Sequence, residues 1–223
     1  MQLVMPFARA TSYEPADFIQ GSGNEEALAL IDRWPDWPYS MVLLDGPKGC
    51  GKTHLSHVFA ARARATFLAP ERVGKATADQ LLTGNHAWVL DGIEAITDAP
   101  ALAQLINHAR ARGDYVLMTA HCPAPALPFT LPDLRSRLLA LPSISLGAPD
   151  DALLMGLLAK QFADRQLRIT PEVLALAVQH IERSYESAQA FVRALDLRSL
   201  AKGKAVTTAL VREMIHNADW QTV

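Results

Sequence analysis

The sequence is poor in cysteine, in long apolar runs and in charge of one sign. Its two cysteines, Cys50 and Cys122, form neither a C-x-x-C pair nor a metal-ligand spacing, which argues against a disulfide framework and predicts free thiols in a reducing compartment. No apolar run approaches the roughly 20 residues that cross a bilayer, and the N-terminus lacks the pattern of a signal peptide. We therefore expect a soluble, cytoplasmic protein with no membrane partner.

The charge pattern also gives little sign of nucleic acid binding. The formal net charge is −2 over 223 residues, so there is no overall excess of Lys and Arg. Basic residues near the C-terminus are scattered, as on a solvated helix face, although residual affinity for single-stranded DNA stays open: Arg193, Arg198, Lys202 and Lys204. His54 and His57 have no third ligand at a suitable spacing, so we expect packing and polar contacts rather than a metal site.

The order of apolar patterns predicts an α/β fold. Half of the residues are hydrophobic, enough for one compact unit or one with a small satellite. Short apolar runs alternate with helical patterns, which is typical of a parallel sheet covered by helices. Five runs are predicted as buried strands: 41–45, 66–69, 87–91, 115–119 and 143–146. After Gly147 only helical patterns follow, which predicts an α/β unit over 13–147 and a small helical subdomain over 148–223.

The strongest motif is GPKGCGKT at residues 46–53, which matches G-x-x-x-x-G-K-[ST] between a predicted strand and a predicted helix. Its glycines let the backbone wrap around phosphates so that successive amides point inward. Lys52 would reach the β- and γ-phosphate oxygens, and Thr53 would offer its hydroxyl to Mg²⁺. The alternative is an ordinary glycine-rich turn.

An acidic partner for the metal is also present. Asp91 ends the apolar run WVLD, where the carboxylate that holds the metal or its water belongs. A strand-end Asp also caps helices, so this residue gains weight only from the loop that precedes it. The two features together predict a nucleotide site with Mg²⁺ bound to Thr53 and Asp91.

Three stretches in order resemble the AAA+ module of the DnaA replication-initiator family: residues 46–60 (GPKGCGKTHLSHVFA), 88–96 (WVLDGIEAI) and 131–138 (LPDLRSRL). Upstream, residues 17–27 (DFIQGSGNEEA) resemble that family's first box, which lies against the adenine. The resemblance covers about residues 13–215 and implies a five-stranded parallel sheet, a helical lid and ATP or ADP between them. The nucleotide-binding residues that it implies are Ile19, Gln20, Gly46, Gly49, Cys50, Gly51, Lys52, Thr53 and His54.

The same resemblance assigns a catalytic arginine. In the family, the second arginine of such an L-R-S-R-L stretch is the arginine finger, which here matches Arg137. A finger reaches the γ-phosphate of a partner subunit and is worth about 10³ to 10⁵ in rate. The alternative for Arg137 is a surface ion pair at a helix end, worth about 0 to 1 kcal/mol.

Several positions depart from the pattern of active AAA+ ATPases. Many of these enzymes place an acidic residue directly after the metal-linked Asp, where this chain has Gly92; Glu94 is a weak substitute as a base. The family has a sensor arginine at the start of a lid helix, and this chain has Ser187 at that position; the nearby Arg183 could serve instead. His121 stands at the sensor position after the fourth strand. These changes predict firm nucleotide binding and poor turnover by the chain alone.

The layout as a whole resembles the Hda family, initiator homologues that dock on the DNA sliding clamp and promote ATP hydrolysis by DnaA. The sequence stops at Val223 without the initiators' DNA-reading domain, and its D-G-I-E stretch is similar to Hda. Within the N-terminal segment 1–12, which we expect to be flexible, QLVMPF resembles a clamp-binding peptide, in which hydrophobic anchors fill a groove. Its clamp-binding residues would be Gln2, Leu3, Met5 and Phe7; the alternative is a floppy terminus with a few apolar residues.

These resemblances imply a negative regulator of replication initiation whose partners are DnaA and the β subunit of the sliding clamp, with little direct DNA binding. A homo-oligomer is also possible. Two alternatives stay open, a self-sufficient AAA+ ATPase and an adaptor of the helicase-loader type.

Overall fold

The strands form one parallel sheet in the computed structural model, which describes residues 18–203 and 205–217. Within these residues the strands are β1 (Met41–Asp45), β2 (Thr66–Phe67), β3 (Ala87–Leu90), β4 (Tyr115–Ala120) and β5 (Ser143–Ser145). Every pairing between them is parallel, and the order across the sheet is β2-β3-β4-β1-β5. The predicted five-stranded parallel sheet is confirmed.

Helices fill the connections between strands and make up most of the described residues after β5. Those in the described ranges are α1 (Glu25–Asp32), α2 (Lys52–Ala63), α3 (Ala78–Leu81), α4 (Ala99–Arg112), α5 (Pro132–Leu139), α6 (Asp151–Asp164), α7 (Pro171–His180), α8 (Tyr185–Lys202) and α9 (Thr208–Asn217). None of them combines the length and the apolar character that a membrane span requires.

The two edge strands differ from the sequence prediction. Buried strands over 66–69 and 143–146 were wrong in extent and in burial: β2 has two residues, β5 has three, and Phe67 is 38% exposed. The physical reason is their place in the sheet, because an edge strand has a neighbour on one side only. Short edge strands also limit pairing with other chains.

Alternate residues of the central strands point to opposite faces of the sheet and build two apolar cores. Leu43 of β1 lies in the core under α4 and α5, whereas Leu44 lies in the core under α1 and α2. The apolar positions predicted for the two central helices are all buried: Leu55, Val58 and Phe59 on α2, and Leu102, Leu105, Ile106 and Ala109 on α4. The sheet is therefore fixed from both sides, and its carboxyl edge is held firmly.

An aromatic cluster anchors the far end of α2. The ring of Phe59 stacks on Trp37 with 4.6 Å between ring centroids and an interplanar angle of 17°. Trp34 meets Phe59 edge-on at 5.4 Å and Tyr115 at 4.7 Å. Edge-on and offset aromatic pairs of this kind add to the free energy gained from burial alone.

The C-terminal helices α6 to α9 share an apolar core of their own, built around buried residues such as Phe162, Phe191 and Met214. Asp150 caps α6, since its Oδ1 accepts a hydrogen bond of 2.7 Å from the Leu153 amide. Leu153 and Tyr185 instead belong to the core beneath α1 and α2. These two side chains join the helical part to the sheet beside the loop that follows β1.

Candidate nucleotide-binding site

The loop between β1 and α2 has the backbone shape that its glycines predict. Gly46, Gly49 and Gly51 have φ of 150°, 74° and 95°, which L side chains rarely adopt. A Cβ at Gly46 would lie 2.6 Å from the carbonyl oxygen of Leu146, so there is no room for one. Such a close-set backbone forms the cradle that a polyphosphate needs.

Lys52, the first residue of α2, is buried within this loop at 6% exposure. Its Nζ donates hydrogen bonds to the carbonyl oxygens of Gly46 at 2.7 Å and Pro47 at 2.8 Å, and lies 3.5 Å from Cys50 Sγ. Burial raises the pKa of the Cys50 thiol, and the Lys52 ammonium opposes that shift. The ammonium group therefore lies inside the loop, where phosphate oxygens of a ligand could replace the two carbonyl oxygens as its hydrogen-bond acceptors.

Thr53 and Asp91, predicted as the metal pair, are in direct contact. Thr53 Oγ1 donates to Asp91 Oδ2 at 2.9 Å, and Thr119 Oγ1 donates to Asp91 Oδ1 at 2.5 Å. The Gly92 amide donates to Thr119 at 2.8 Å and fixes this arrangement. No three His, Cys, Asp or Glu residues of the described ranges are placed to hold a metal by themselves. The pair fits Mg²⁺ only if phosphate oxygens and water complete its shell, as is usual for this ion.

Glu94 and His121 meet at the same edge of the sheet. His121 Nδ1 lies 2.5 Å from Glu94 Oε1, so the sequence-predicted base and sensor form an ion pair when the histidine is protonated. Partial burial, with the Glu94 and Asp45 carboxylates, raises the pKa of the adjacent Cys122 thiol. The structure therefore brings both predicted residues to the edge that carries Asp91.

The segment before α1 forms the second wall of the site. Asn24 is buried, donates to the Ile19 carbonyl oxygen at 2.9 Å and accepts from the Gly21 amide at 2.9 Å. Ile19 packs on α6, where a Cβ at Gly156 would lie 3.2 Å from Ile19 Cγ2.

Phe18 continues this wall toward the loop. Its ring meets His54 edge-on at 5.3 Å, and a Cβ at Gly51 would lie 3.3 Å from it. The predicted binding residues Ile19 and His54 thus line one wall, with Gln20 exposed beside them.

The loop between β1 and α2, residues 46–51, is called the phosphate loop below. The first turn of α8 packs on this loop, on the side away from Phe18. A Cβ at Gly49 would lie 3.2 Å from Tyr185 Cβ and 3.6 Å from Glu186 Cγ. The Tyr185 hydroxyl is buried and makes no well-formed hydrogen bond with the described residues. Burial is the main cause that raises the pKa of Tyr185 to about 12. The Asn24 side chain and Cys50 lie close enough to act on the same pKa.

The two residues predicted as lid sensors have other contacts in this structure. Ser187 shares hydrogen bonds with Ser184, at 2.8 Å between the hydroxyls and 3.0 Å from its amide. Arg183 donates twice to Asp151, at 2.7 and 3.1 Å, which lowers the pKa of that carboxyl. The sequence did not lead us to expect that Glu186 lies beside the loop at Gly49. The available signal was Ser184 as a helix cap, because the cap places the next two residues in the first turn.

Arg137 lies on α5 and pairs with an acidic residue one turn earlier. Its Nε and Nη2 donate to the two carboxylate oxygens of Asp133 at 2.9 and 2.8 Å. Arg135 instead donates to the Phe129 carbonyl oxygen at 3.2 Å. The ion pair with Asp133 does not use Nη1 of Arg137.

The predicted clamp-binding residues Gln2, Leu3, Met5 and Phe7 lie outside the described residues.

Comparison with known proteins shows which fold this chain shares. No protein-family model matches the chain. It is 26% identical over 225 residues to the chromosomal replication initiator DnaA of Caulobacter sp. (strain K31), across 88% of this chain and 46% of that protein. The chain thus spans about half the length of the curated relative that it matches.

Two solved structures show the same architecture. Domain III of Thermotoga maritima DnaA superposes with a TM-score of 0.76 at 16% identity, over 92% of this chain and 96% of that one. AMPPCP-bound DnaA from Aquifex aeolicus gives 0.65 at 14% identity, over 82% and 65%. The chain therefore has the fold of DnaA domain III, an α/β core with a five-stranded parallel sheet and helices after it.

Proposed function

We propose that the chain binds an adenine nucleotide, ADP or ATP with Mg²⁺, between the phosphate loop, residues 18–24 and the start of α8. The observation that carries this proposal is a buried lysine inside a loop of left-handed glycines, next to the Thr53–Asp91 pair. The similarity to DnaA, one structure of which holds AMPPCP, supports an adenine nucleotide. Ile19 and Gln20 would then face the base.

Each residue of this site has a defined task toward the nucleotide. The Lys52 ammonium exchanges its two carbonyl acceptors for β- and γ-phosphate oxygens, and the loop amides donate to the same phosphates. Thr53 and Asp91 hold the magnesium ion, which neutralises phosphate charge when bound. Residues 148–223 would form the lid over this site.

Calorimetry on the purified full chain tests nucleotide binding directly. We expect heat on titration with both ADP and ATP, and a dependence on Mg²⁺ that Thr53→Ala weakens because the metal loses its hydroxyl ligand. A folded chain that gives no heat with either nucleotide would contradict the proposal.

We further propose that the chain is a negative regulator of chromosomal replication initiation, similar to the Hda family. It docks on the sliding clamp through Gln2, Leu3, Met5 and Phe7 and stimulates ATP hydrolysis by DnaA. Two observations support this role. Gly92 leaves no acidic residue directly after Asp91, and Nη1 of Arg137 takes no part in its pair with Asp133. Arg137 would thus stabilise the charge on the γ-phosphate of a partner in trans.

A reconstitution with clamp, ATP-loaded DnaA and the chain tests this role. We expect Arg137→Ala to abolish stimulation of phosphate release, a loss of about 10³-fold or more for a finger. Arg135→Ala is the matched control, because this arginine lies on the same helix and bonds a carbonyl of its own subunit. Deletion of residues 1–7 should remove the part of the stimulation that depends on the clamp. Unchanged stimulation by Arg137→Ala would remove the finger assignment.

A second candidate is an ATPase that turns over alone or as a homo-oligomer. The Glu94–His121 contact favours it, since Glu94 Oε1 lies 4.0 Å from the position of a Gly92 Cβ, directly after Asp91, and a carboxylate there can orient water. Phosphate release by the chain alone, measured over a range of concentrations, separates the two proposals. Turnover that rises with concentration and disappears in Glu94→Gln would support the ATPase, and negligible release would support action in trans. Capture assays against clamp and helicase distinguish an adaptor of the helicase-loader type.

A further inference from the structure

An acidic side chain in the first turn of α5 holds the arginine that is assigned as the finger. We infer that Asp133 is a positioning residue, which orients the Arg137 guanidinium so that its free edge meets the terminal phosphate of a nucleotide on a partner subunit. The inference rests on the proposed action in trans and names the residue that prepares Arg137 for it. It follows from the geometry of one ion pair and from the packing of the helix that carries it.

The ion pair occupies one edge of the guanidinium group. Nε and Nη2 of Arg137 donate to the two carboxylate oxygens of Asp133 at 2.9 and 2.8 Å, so the contact is bidentate. A guanidinium has five N–H donors in a rigid planar fork, and the pair takes two of the five and leaves three. Those three belong to Nη1 and Nη2, along the adjoining edge, which matches two oxygens of a phosphate. Asp133 therefore holds Arg137 without using the edge that a phosphate needs.

The helix that carries the pair is fixed to the rest of the molecule. Leu134 and Leu138 are buried at 0% and 1% exposure in the core under α4 and α5. Arg135 donates to the Phe129 carbonyl oxygen at 3.2 Å, which joins α5 to the segment before it. Asp133 thus extends from a fixed backbone, and the freedom that remains is that of the Arg137 side chain. An arginine side chain loses much rotamer entropy when it is ordered, and the two hydrogen bonds to Asp133 restrict it before a partner arrives.

Orientation and charge predict opposite effects of removing Asp133. Through charge alone its carboxylate would weaken the attraction between Arg137 and a phosphate, because it adds a negative charge beside the finger. That side chain is 56% exposed, so water screens this effect. Misplacing a reacting group by about 1 Å can cost about 10²-fold in rate, so orientation outweighs the screened charge. We therefore expect loss of the carboxylate to slow the stimulated reaction rather than to speed it.

Phosphate release from ATP-loaded DnaA, measured with clamp and increasing amounts of the full chain, tests the inference. The maximal stimulated rate reports the reaction within the complex, and the half-saturating concentration of the chain reports formation of that complex. We expect Asp133→Ala to lower the maximal rate about three- to tenfold and to leave the half-saturating concentration unchanged, because Arg137 is present but no longer held. Asp133→Glu should restore most of the rate, since a glutamate one turn before an arginine also pairs with it on a helix.

The matched control is Asp164→Ala on α6. Asp164 pairs with Lys160 at 3.4 Å, and the two ion pairs have equal exposed fractions, 27% for the basic and 56% for the acidic side chain. This control removes an equally exposed carboxylate from a different helix, so both kinetic quantities should keep their wild-type values. Thermal melting of each variant checks that it is folded, which the exposure of Asp133 favours.

The possible outcomes separate this inference from the proposed function. If Arg137→Ala abolishes stimulation but Asp133→Ala leaves the maximal rate unchanged or raises it, the role of Asp133 is overturned and the finger assignment stands. A lowered rate that Asp133→Glu does not restore, or a change in the half-saturating concentration alone, overturns that role as well. A wild-type chain that gives no stimulation, or stimulation that survives Arg137→Ala, overturns the proposed action in trans and this inference together.

Discussion

A buried aspartate lies at each end of the parallel strands, one at the end where strands begin (the amino edge) and one where they finish (the carboxyl edge). The two differ in their hydrogen bonds. At the amino edge, Asp114 is fully buried; its Oδ2 accepts from Trp88 Nε1 at 3.1 Å and Arg112 Nε at 2.9 Å, and its Oδ1 lies 2.9 Å from His86 Nδ1. At the carboxyl edge, Asp45 is 2% exposed. Its Oδ1 accepts from Ser145 at 2.7 Å, but its Oδ2 accepts no hydrogen bond from the described residues.

This difference separates a buried carboxylate with both oxygens paired from one with an unpaired oxygen. A buried carboxylate whose oxygens are all paired holds its neighbours together, whereas an unpaired buried oxygen costs stability. The second kind, Asp45, directly precedes the loop that follows β1. Open α/β sheets bind ligands outside the carboxyl ends of their strands, and the unpaired oxygen of Asp45 lies at that end.

The largest expected effect concerns the carboxyl edge. Lys52→Ala should weaken ADP binding by about 2 to 5 kcal/mol, because a buried ammonium with fixed acceptors is removed from the phosphate site. Lys48→Ala, in the same loop but exposed, should cost less than about 1 kcal/mol. Calorimetry with ADP measures both losses. Equal losses would show that the loop acts only through its overall charge.

The next effect compares the two aspartates themselves. Asp114→Asn should lower the free energy of unfolding by about 2 to 4 kcal/mol, because an amide donor would face the donors of Trp88, Arg112 or His86. Asp45→Asn should change it by about 1 kcal/mol or less, since the bond from Ser145 can be kept. Urea unfolding at neutral pH measures both values. The contrast between the edges fails if Asp45→Asn is the more damaging change.

The smallest effect is a pH dependence at Tyr185. Burial raises its pKa to about 12, so the folded chain holds the phenolic proton more tightly than the unfolded chain does. That contribution to stability is complete below about pH 10 and is lost as the pH rises toward 12.

The matched variant for this effect is Tyr185→Phe. It should lose less stability than the wild type over this alkaline window, because phenylalanine has no phenolic proton to lose. Unfolding curves at several pH values give the difference, and curves that run parallel would contradict it.

The sequence predicted the centre of the fold better than its margins. The strands β1, β3 and β4 were identified nearly to their ends, because interior parallel strands read as continuous apolar runs. The edge strands were extended too far because Leu68 and Leu146 are buried just beyond them, and an apolar residue after a short strand has the same pattern as one within it.

The loop after β1 was predictable because its residues form one contiguous motif between a strand and a helix. Thr53 and Asp91 are far apart in sequence, but each follows a parallel strand at the carboxyl end of the sheet, and the structure places them in contact. The contact between α8 and the loop was not predictable in the same way. Which residue of α8 meets the loop depends on how that helix packs, through Tyr185 and Leu153, on the rest of the molecule. Ungapped matching therefore selected Ser187, whereas Glu186 faces Gly49.

The stacking of Phe59 on Trp37 has a practical consequence. The helix that begins at Lys52 carries Phe59 two turns later, so a rigid rod connects the phosphate cradle to a pair of indoles. Any shift of the cradle on ligand entry moves that ring against Trp34 and Trp37. The intrinsic fluorescence of these tryptophans should therefore change with occupancy, giving the protein a native optical reporter that needs no added dye.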